Sequence, residues 1–157
     1  MKIQLLSVGK AHEDYVEDGI TMFTKRIQHY FPVEWRIIPP PKNSNTLGTD
    51  DLKTKEGEQI LKYIQKDDFL VLLDERGKQM QSEGIAGLVQ SSANASIKNL
   101  VFLIGGAYGV DSTVKKRANL VWGLSTLVFP HQLVRLILAE QIYRACTIIR
   151  NENYHHA

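Results

Sequence analysis

What most limits the fold of this 157-residue chain is the way its hydrophobic period switches between strand-like alternation and helix-like stripes, almost without interruption. KIQLLSV (2–8), VEWRII (33–38), FLVLL (69–73), NLVFLI (99–104) and a weaker LVWGLS (120–125) read as strands. Between them, Val16, Ile20, Phe23, Ile27 and Tyr30 form one apolar stripe over about 13–30, and Leu52, Ile60, Leu61 and Ile64 form a looser one over about 51–64. Ser82 stands where an N-cap would start a third helix, and Asp111 can cap a short fourth, STVKKRAN. The strongest helical pattern is the last, about 131–149, with Leu133, Val134, Ile137, Leu138, Gln141, Ile142, Ala145 and Ile148 on one face. Strand and helix in strict alternation call for crossover connections. The expectation is a single-domain α/β sandwich over 1–157, its mainly parallel sheet covered by helices on both faces.

Bulk properties narrow the class. At 43% hydrophobic and 23% charged, with no repeats, the chain is not disordered or collagen-like. The apolar stretch IQLLSV is too short for a membrane span and runs into acidic HEDYVED, so a cytoplasmic location is expected. A single cysteine, Cys146, lies in an apolar helical setting and reads as a buried thiol. The formal charge of +2 hides an asymmetry: residues 1–114 carry 13 Lys+Arg and 15 Asp+Glu, residues 115–157 carry 6 and 2. The positive C-terminal third suits an anionic partner such as RNA, or is simply a solvated basic face. PPPKNSNTLGTDD (39–51) reads as a long irregular loop.

Ligands of α/β sheets bind beyond the C-terminal ends of strands. Three strand ends stand out: IGGAYG (104–109), WGLSTLVFPHQ (122–132) and LLDERGK (72–78). The glycines of IGGAYG match neither common phosphate cradle. A dinucleotide fingerprint fails because Ala107 and Val110 stand where it needs glycine; a Walker-type loop fails because Val110, Asp111 and Ser112 replace Gly-Lys-Ser/Thr. The alternative is a tight strand-to-helix turn with no ligand. The second segment is apolar and short of charge, and Pro130 can open the following helix. Such a loop suits an adenine-sized ring held by backbone and apolar contacts. Asp74 and Glu75 are adjacent carboxylates without a nearby His or Cys; a polar turn is expected, not a metal site.

The order LLD…GK, SEG, LIGGxxG, LSTLVFPHQLVRLILAEQIYRA and a terminal YH pair resembles the RlmH family of ribosomal RNA methyltransferases, members of the SPOUT superfamily. The likeness runs from MKIQLLSVGK through KEGE to NYHH. It implies a C-terminal trefoil knot over about 70–157, and a homodimer that transfers a methyl group from S-adenosylmethionine to the N3 imide nitrogen of a pseudouridine in a 23S rRNA hairpin. It also implies cofactor contacts at Leu73, at Gly105, and at Leu124, Ser125, Thr126, Leu127, Val128 and Phe129. The chain departs from the family pattern at Val110, where Leu is common, and at His156 and Ala157, where the family often ends in Arg or Lys.

Methyl transfer from a sulfonium asks the protein to position, desolvate and deprotonate, and needs no metal. His131 is a candidate base, or a helix-start histidine bonded to backbone. Arg135 is a candidate for an RNA phosphate or for charge on the base, against a structural ion pair. Arg144 and Glu140, four apart, are spaced to pair along a helix. Tyr154 and His155 are candidate catalytic residues in a short tail that, in a dimer, would complete the partner's site. Two other readings stay open: a non-catalytic RNA-binding protein, and a Rossmann-type nucleotide enzyme, which the failed fingerprints disfavour.

Overall fold

The computed structural model describes residues 1–156; Ala157, one of the two departures at the terminus, lies outside the described residues. The elements are β1 (Lys2–Val8), α1 (Asp14–Ile27), β2 (Val33–Ile38), α2 (Thr49–Leu61), β3 (Phe69–Gln79), α3 (Ser82–Asn94), β4 (Asn99–Ile104), α4 (Ser112–Arg117), β5 (Leu120–Gly123) and α5 (His131–Ile149). The long loop is interrupted by a single 3-10 turn at Ser44–Thr46. The strands form one sheet in the order β2-β1-β4-β3-β5, and every pairing is parallel.

Strand side chains alternate between the two faces, and both faces are buried, so these strands read as nearly continuous apolar runs. On β4, Leu100, Phe102 and Ile104 pack with Ile27 of α1, Ile85 and Val89 of α3, and Leu138 and Ile142 of α5. Val101 and Leu103 point the other way, onto Ile60 of α2 and Val114 of α4. The expected sandwich is therefore observed, with three helices on one face and two on the other.

Three local expectations change. β3 does not end at Leu73: Leu73 and Lys78 both pair with Trp122, so residues 74–77 form an excursion inside one strand. There the backbones of β3 and β5 nearly touch. A Cβ on Gly77 would lie 2.7 Å from the Val121 carbonyl, and one on Gly123 would lie 2.8 Å from the Gly77 oxygen. Second, Ser82 is the first residue of α3 and makes no cap; Gln81 precedes it in extended conformation, and the Ser82 hydroxyl donates to Gln141 Oε1 of α5 at 2.7 Å. Third, the buried stripe of α5 is rotated from the one expected and runs through Arg135, Leu138, Ala139, Ile142, Ala145 and Cys146. Asp111 does cap α4, accepting from the Val114 amide at 3.0 Å. Cys146 is buried, and burial pushes its thiol up to about 12, leaving it protonated at neutral pH.

Candidate functional site

A cavity of about 440 Å³ opens at the C-terminal ends of β3, β4 and β5, within the range of small-ligand sites. Its walls come from the three strand ends. Leu73, Gly105, Leu124, Ser125, Leu127, Val128 and Phe129 all line it, and so does His131; Thr126 lies in the same loop but outside the wall.

The wall on β4 is a glycine turn whose glycines answer to their own chain. A Cβ on Gly105 would stand 2.7 Å from Val110 Cγ1, and one on Gly106 would stand 2.7 Å from Glu56 Oε2. Gly109 has φ +82°, in the left-handed region, and its amide donates to the Gly106 carbonyl at 3.0 Å. The turn is thus packed from behind, and its open side presents backbone, with Tyr108 exposed at the tip. The wall after β5 is held by Ser125, whose hydroxyl accepts from the Leu127 amide at 3.0 Å. Leu127 and Val128 remain 66% and 79% exposed, an unusual apolar rim for a cavity mouth.

The third wall carries the acids. Asp74 accepts from the Arg76 amide at 2.9 Å and from its guanidinium at 3.3 Å. Burial opposes ionisation of Asp74, but these bonds outweigh it and hold the carboxyl below its ordinary value. This is the polar turn expected of Asp74–Glu75, and no cluster of His, Cys, Asp or Glu suited to a metal occurs among the described residues. Arg76, committed to Asp74, is the only Lys or Arg in the cavity wall.

His131 opens α5 beside this cavity. Burial, and then the nearby Arg135 charge, lower its pKa, so its ring is uncharged at neutral pH. Arg135, one turn on, does not reach the wall. It is 1% exposed: Nε donates to Ser7 Oγ at 2.9 Å, and one terminal nitrogen donates to the Lys10 carbonyl at 2.9 Å and to His12 Nδ1 at 3.2 Å. Because arginine only donates, His12 Nδ1 must accept, which puts the ring proton on Nε2. Arg135 therefore ties the loop after β1 to the first turn of α5.

Tyr154 and His155 lie at the other end of that helix. The Tyr154 hydroxyl donates to Glu140 Oε1 at 3.0 Å, and the Arg144 guanidinium binds the same oxygen at 2.5 Å, the pairing that the four-residue spacing suggests. His155 Nδ1 accepts from Arg144 at 3.2 Å, and Nε2 donates to Glu83 Oε1 of α3 at 2.9 Å. One neutral tautomer satisfies both contacts. The rise of an α-helix puts Glu140 and Arg144 about 13 and 20 Å from His131, so the docked tail is remote from its own chain's cavity. Glu83 went unnoticed in the sequence, although SEG was there to be read.

Known proteins share this architecture. The family model described as "Predicted SPOUT methyltransferase" matches residues 1–155. The chain is 46% identical over 156 residues to the "Ribosomal RNA large subunit methyltransferase H" of Cytophaga hutchinsonii, covering 99% of this chain and all of that one. It is 46% identical to the protein of the same name from Christiangramia forsetii and 44% to that from Parabacteroides distasonis, with 99% of each chain covered in both cases. In fold it is similar to "a probable methylase family protein from Haemophilus influenzae Rd KW20", with a TM-score of 0.51 at 9% identity, covering 99% of this chain and 70% of that one. With a parallel sheet, a cavity at three strand ends and relatives matched end to end, the chain belongs to the SPOUT methyltransferase family.

Proposed function

We propose that this protein methylates the large-subunit ribosomal RNA, transferring a methyl group from S-adenosylmethionine to N3 of a pseudouridine in a 23S rRNA hairpin on the assembled ribosome, as a cytoplasmic homodimer. The observation that carries the reading is the cavity made from the ends of β3, β4 and β5, in a chain whose relatives of that name match it along its whole length. The chemistry of the walls fits the cofactor. Two of them, after β4 and β5, are largely backbone and apolar side chain, suited to an adenosine moiety; the third carries two acids, and its one arginine is already occupied by Asp74, which disfavours a phosphate chain.

The bound cofactor would supply an electrophilic methyl group on a sulfonium, a good leaving group. The protein's own residues do the rest. The Gly105–Gly109 turn and the Leu124–Phe129 loop offer backbone groups to the nucleoside, and exposed Leu127 and Val128 become covered once ligand and RNA are in place. His131, uncharged and at the wall, is placed to accept the imide proton. Arg135 holds the first turn of α5, and hence His131, against the loop after β1. Tyr154 and His155 serve the partner's cavity, since the Glu140 and Arg144 that hold them lie about two and a half to three and a half helical turns from His131. A trefoil knot over about residues 70–157 is part of the same reading, carried by the family resemblance alone.

The test is calorimetric titration with S-adenosylmethionine, followed by methyl transfer to whole ribosomes and to naked rRNA. Micromolar binding and methylpseudouridine in the ribosome are expected, and loss of that nucleoside from rRNA on gene deletion. No cofactor binding, or an unchanged nucleoside signal after deletion, would refute it. Salt-sensitive RNA binding indifferent to the cofactor would favour the non-catalytic reading instead.

A further inference from the structure

Behind the cavity, two acids and two glycines cross-pack. α2 carries Lys55-Glu56-Gly57-Glu58. A Cβ on Gly57 would lie 2.8 Å from both carboxylate oxygens of Asp111, and one on Gly106 would lie 2.8 Å from the Glu56 carboxyl carbon. Each carboxyl group therefore fills the room that a glycine leaves on the opposing segment. The two acids differ in what else they do. Asp111 caps α4 through the Val114 amide. Glu56 is 7% exposed, and no hydrogen bond or ion pair to its carboxyl is formed among the described residues.

A carboxyl without a bonding partner, lying directly beneath the Gly106 turn, requires a reason. Sterically, Glu56 fills the space beneath Gly106: movement of the turn toward α2 meets its oxygens unless the side chain shifts. Burial raises its pKa and favours the neutral acid. Asp111 faces it from α4 across Gly57, and Glu58 and Lys55 flank it on α2 at exposed positions; the turn itself brings backbone and Val110.

We propose that Glu56 is a positioning residue of the cofactor cavity: wedged beneath Gly106, its carboxyl sets the path of the Gly105–Gly109 turn and so the cofactor affinity. This rests on the reading of the cavity as the S-adenosylmethionine site. Deprotonation puts an unpaired charge under the turn, and the backbone or water must move to meet it. Affinity therefore falls as the pH rises through the raised value of Glu56.

The experiment compares wild type, Glu56→Gln and Glu56→Ala from mildly acidic to mildly alkaline pH, by S-adenosylmethionine calorimetry, amide NMR of the turn, and thermal melting as a control for folding. Wild-type affinity should weaken with rising pH. Glu56→Gln, an uncharged near-isostere, should bind with no such dependence and at least as tightly at the alkaline end. Glu56→Ala should bind weakly at every pH, by on the order of tenfold. The Gly105, Gly106 and Ala107 amides should titrate in wild type and stay still in Glu56→Gln. Unchanged binding in both variants, or the same amide titration in Glu56→Gln as in wild type, overturns the proposal. If wild type binds no cofactor while its amides titrate and those of Glu56→Gln do not, the cofactor reading fails and the positioning role stands.

Discussion

The two ends of α5 are built on opposite principles. At His131 the helix meets a cavity whose walls are largely backbone: a glycine turn packed from behind by Val110 and Glu56, and a loop held by Ser125. At Glu140 to Arg144 it meets the chain's own tail through a side-chain network of Tyr154, His155 and Glu83. A backbone wall can be damaged only by adding atoms, and a side-chain network only by removing them. The first end is suited to hold a constant ligand, and the second to be released and remade against another surface.

That contrast is best broken at Gly105. Replacing Gly105 with Val should abolish detectable cofactor binding in calorimetry and lower the melting temperature, because its Cβ would meet Val110 Cγ1 at 2.7 Å; overpacking of this kind costs about 1–3 kcal/mol. The double change Gly105→Ala with Val110→Ala should restore much of the lost stability, since it removes the clashing methyl. Native-like binding by Gly105→Val would show that this wall does not face the cofactor.

At the opposite end, truncation after Asn153 should leave cofactor affinity unchanged and reduce turnover on ribosomes by on the order of a hundredfold or more, the loss expected when positioned catalytic groups go. Mixed dimers of truncated chains with chains carrying Gly105→Val sharpen this: if each tail serves the partner's cavity, such a dimer keeps one complete site, whereas a wild-type chain paired with a chain carrying both lesions keeps none. Full turnover by the truncated chain would make the tail structural.

Arg135 tests the joint between cavity and fold. Arg135→Met keeps the volume but leaves Ser7 and the Lys10 carbonyl without their donor, and should destabilise by about 2–6 kcal/mol in denaturant titration, at roughly 1–3 kcal/mol for each of the two unsatisfied groups. A stability within error of wild type would mean that water replaces the guanidinium freely.

The smallest effect is a pH dependence. His12 has a pKa lowered from 6.5 by burial and by the Arg135 charge, so the native state resists protonating it. Its contribution to stability is present above the unfolded value and is lost as the pH falls from about 6.5 through the lowered value. His12→Gln should flatten this part of the pH–stability curve. His131 carries a shift of the same sign, so the acid limb of the turnover profile should lie below the ordinary histidine range and disappear in His131→Asn.

The legible parts of the molecule were those where the local pattern and the tertiary role agree. Buried parallel strands must be apolar throughout, and β4 is; a cap must accept an amide, and Asp111 does. β3 was cut short in the reading because DERGK is polar, yet its excursion is polar because it is exposed, while Gly77 admits the neighbouring strand. Arg135 reads in sequence as a candidate for an RNA phosphate or for charge on the base, yet it shares a buried stripe with Leu138 and Ile142 at steps of three and seven, a spacing that signals burial even for a charged residue. The glycine turn showed that something had to come close, but not that Glu56 lies fifty residues away in sequence and comes from behind.

The strand order also has a consequence in time. β1 finds β2 nearby, but its other neighbour is β4, with Lys2 opposite Asn99, and β3 pairs only with β4 and β5. At roughly 5–20 residues per second of synthesis, the first strand waits on the order of 5–20 s for its inner partner to emerge. Through that interval the apolar flanks of β1 and β3 have no sheet to join, and the last step, laying β5 against β3 where Gly77 meets Gly123, must follow all the others. Non-local parallel pairing of this kind folds slowly. The nascent chain is therefore at its most aggregation-prone just before the strand that leads into the Gly105–Gly109 turn has left the ribosome.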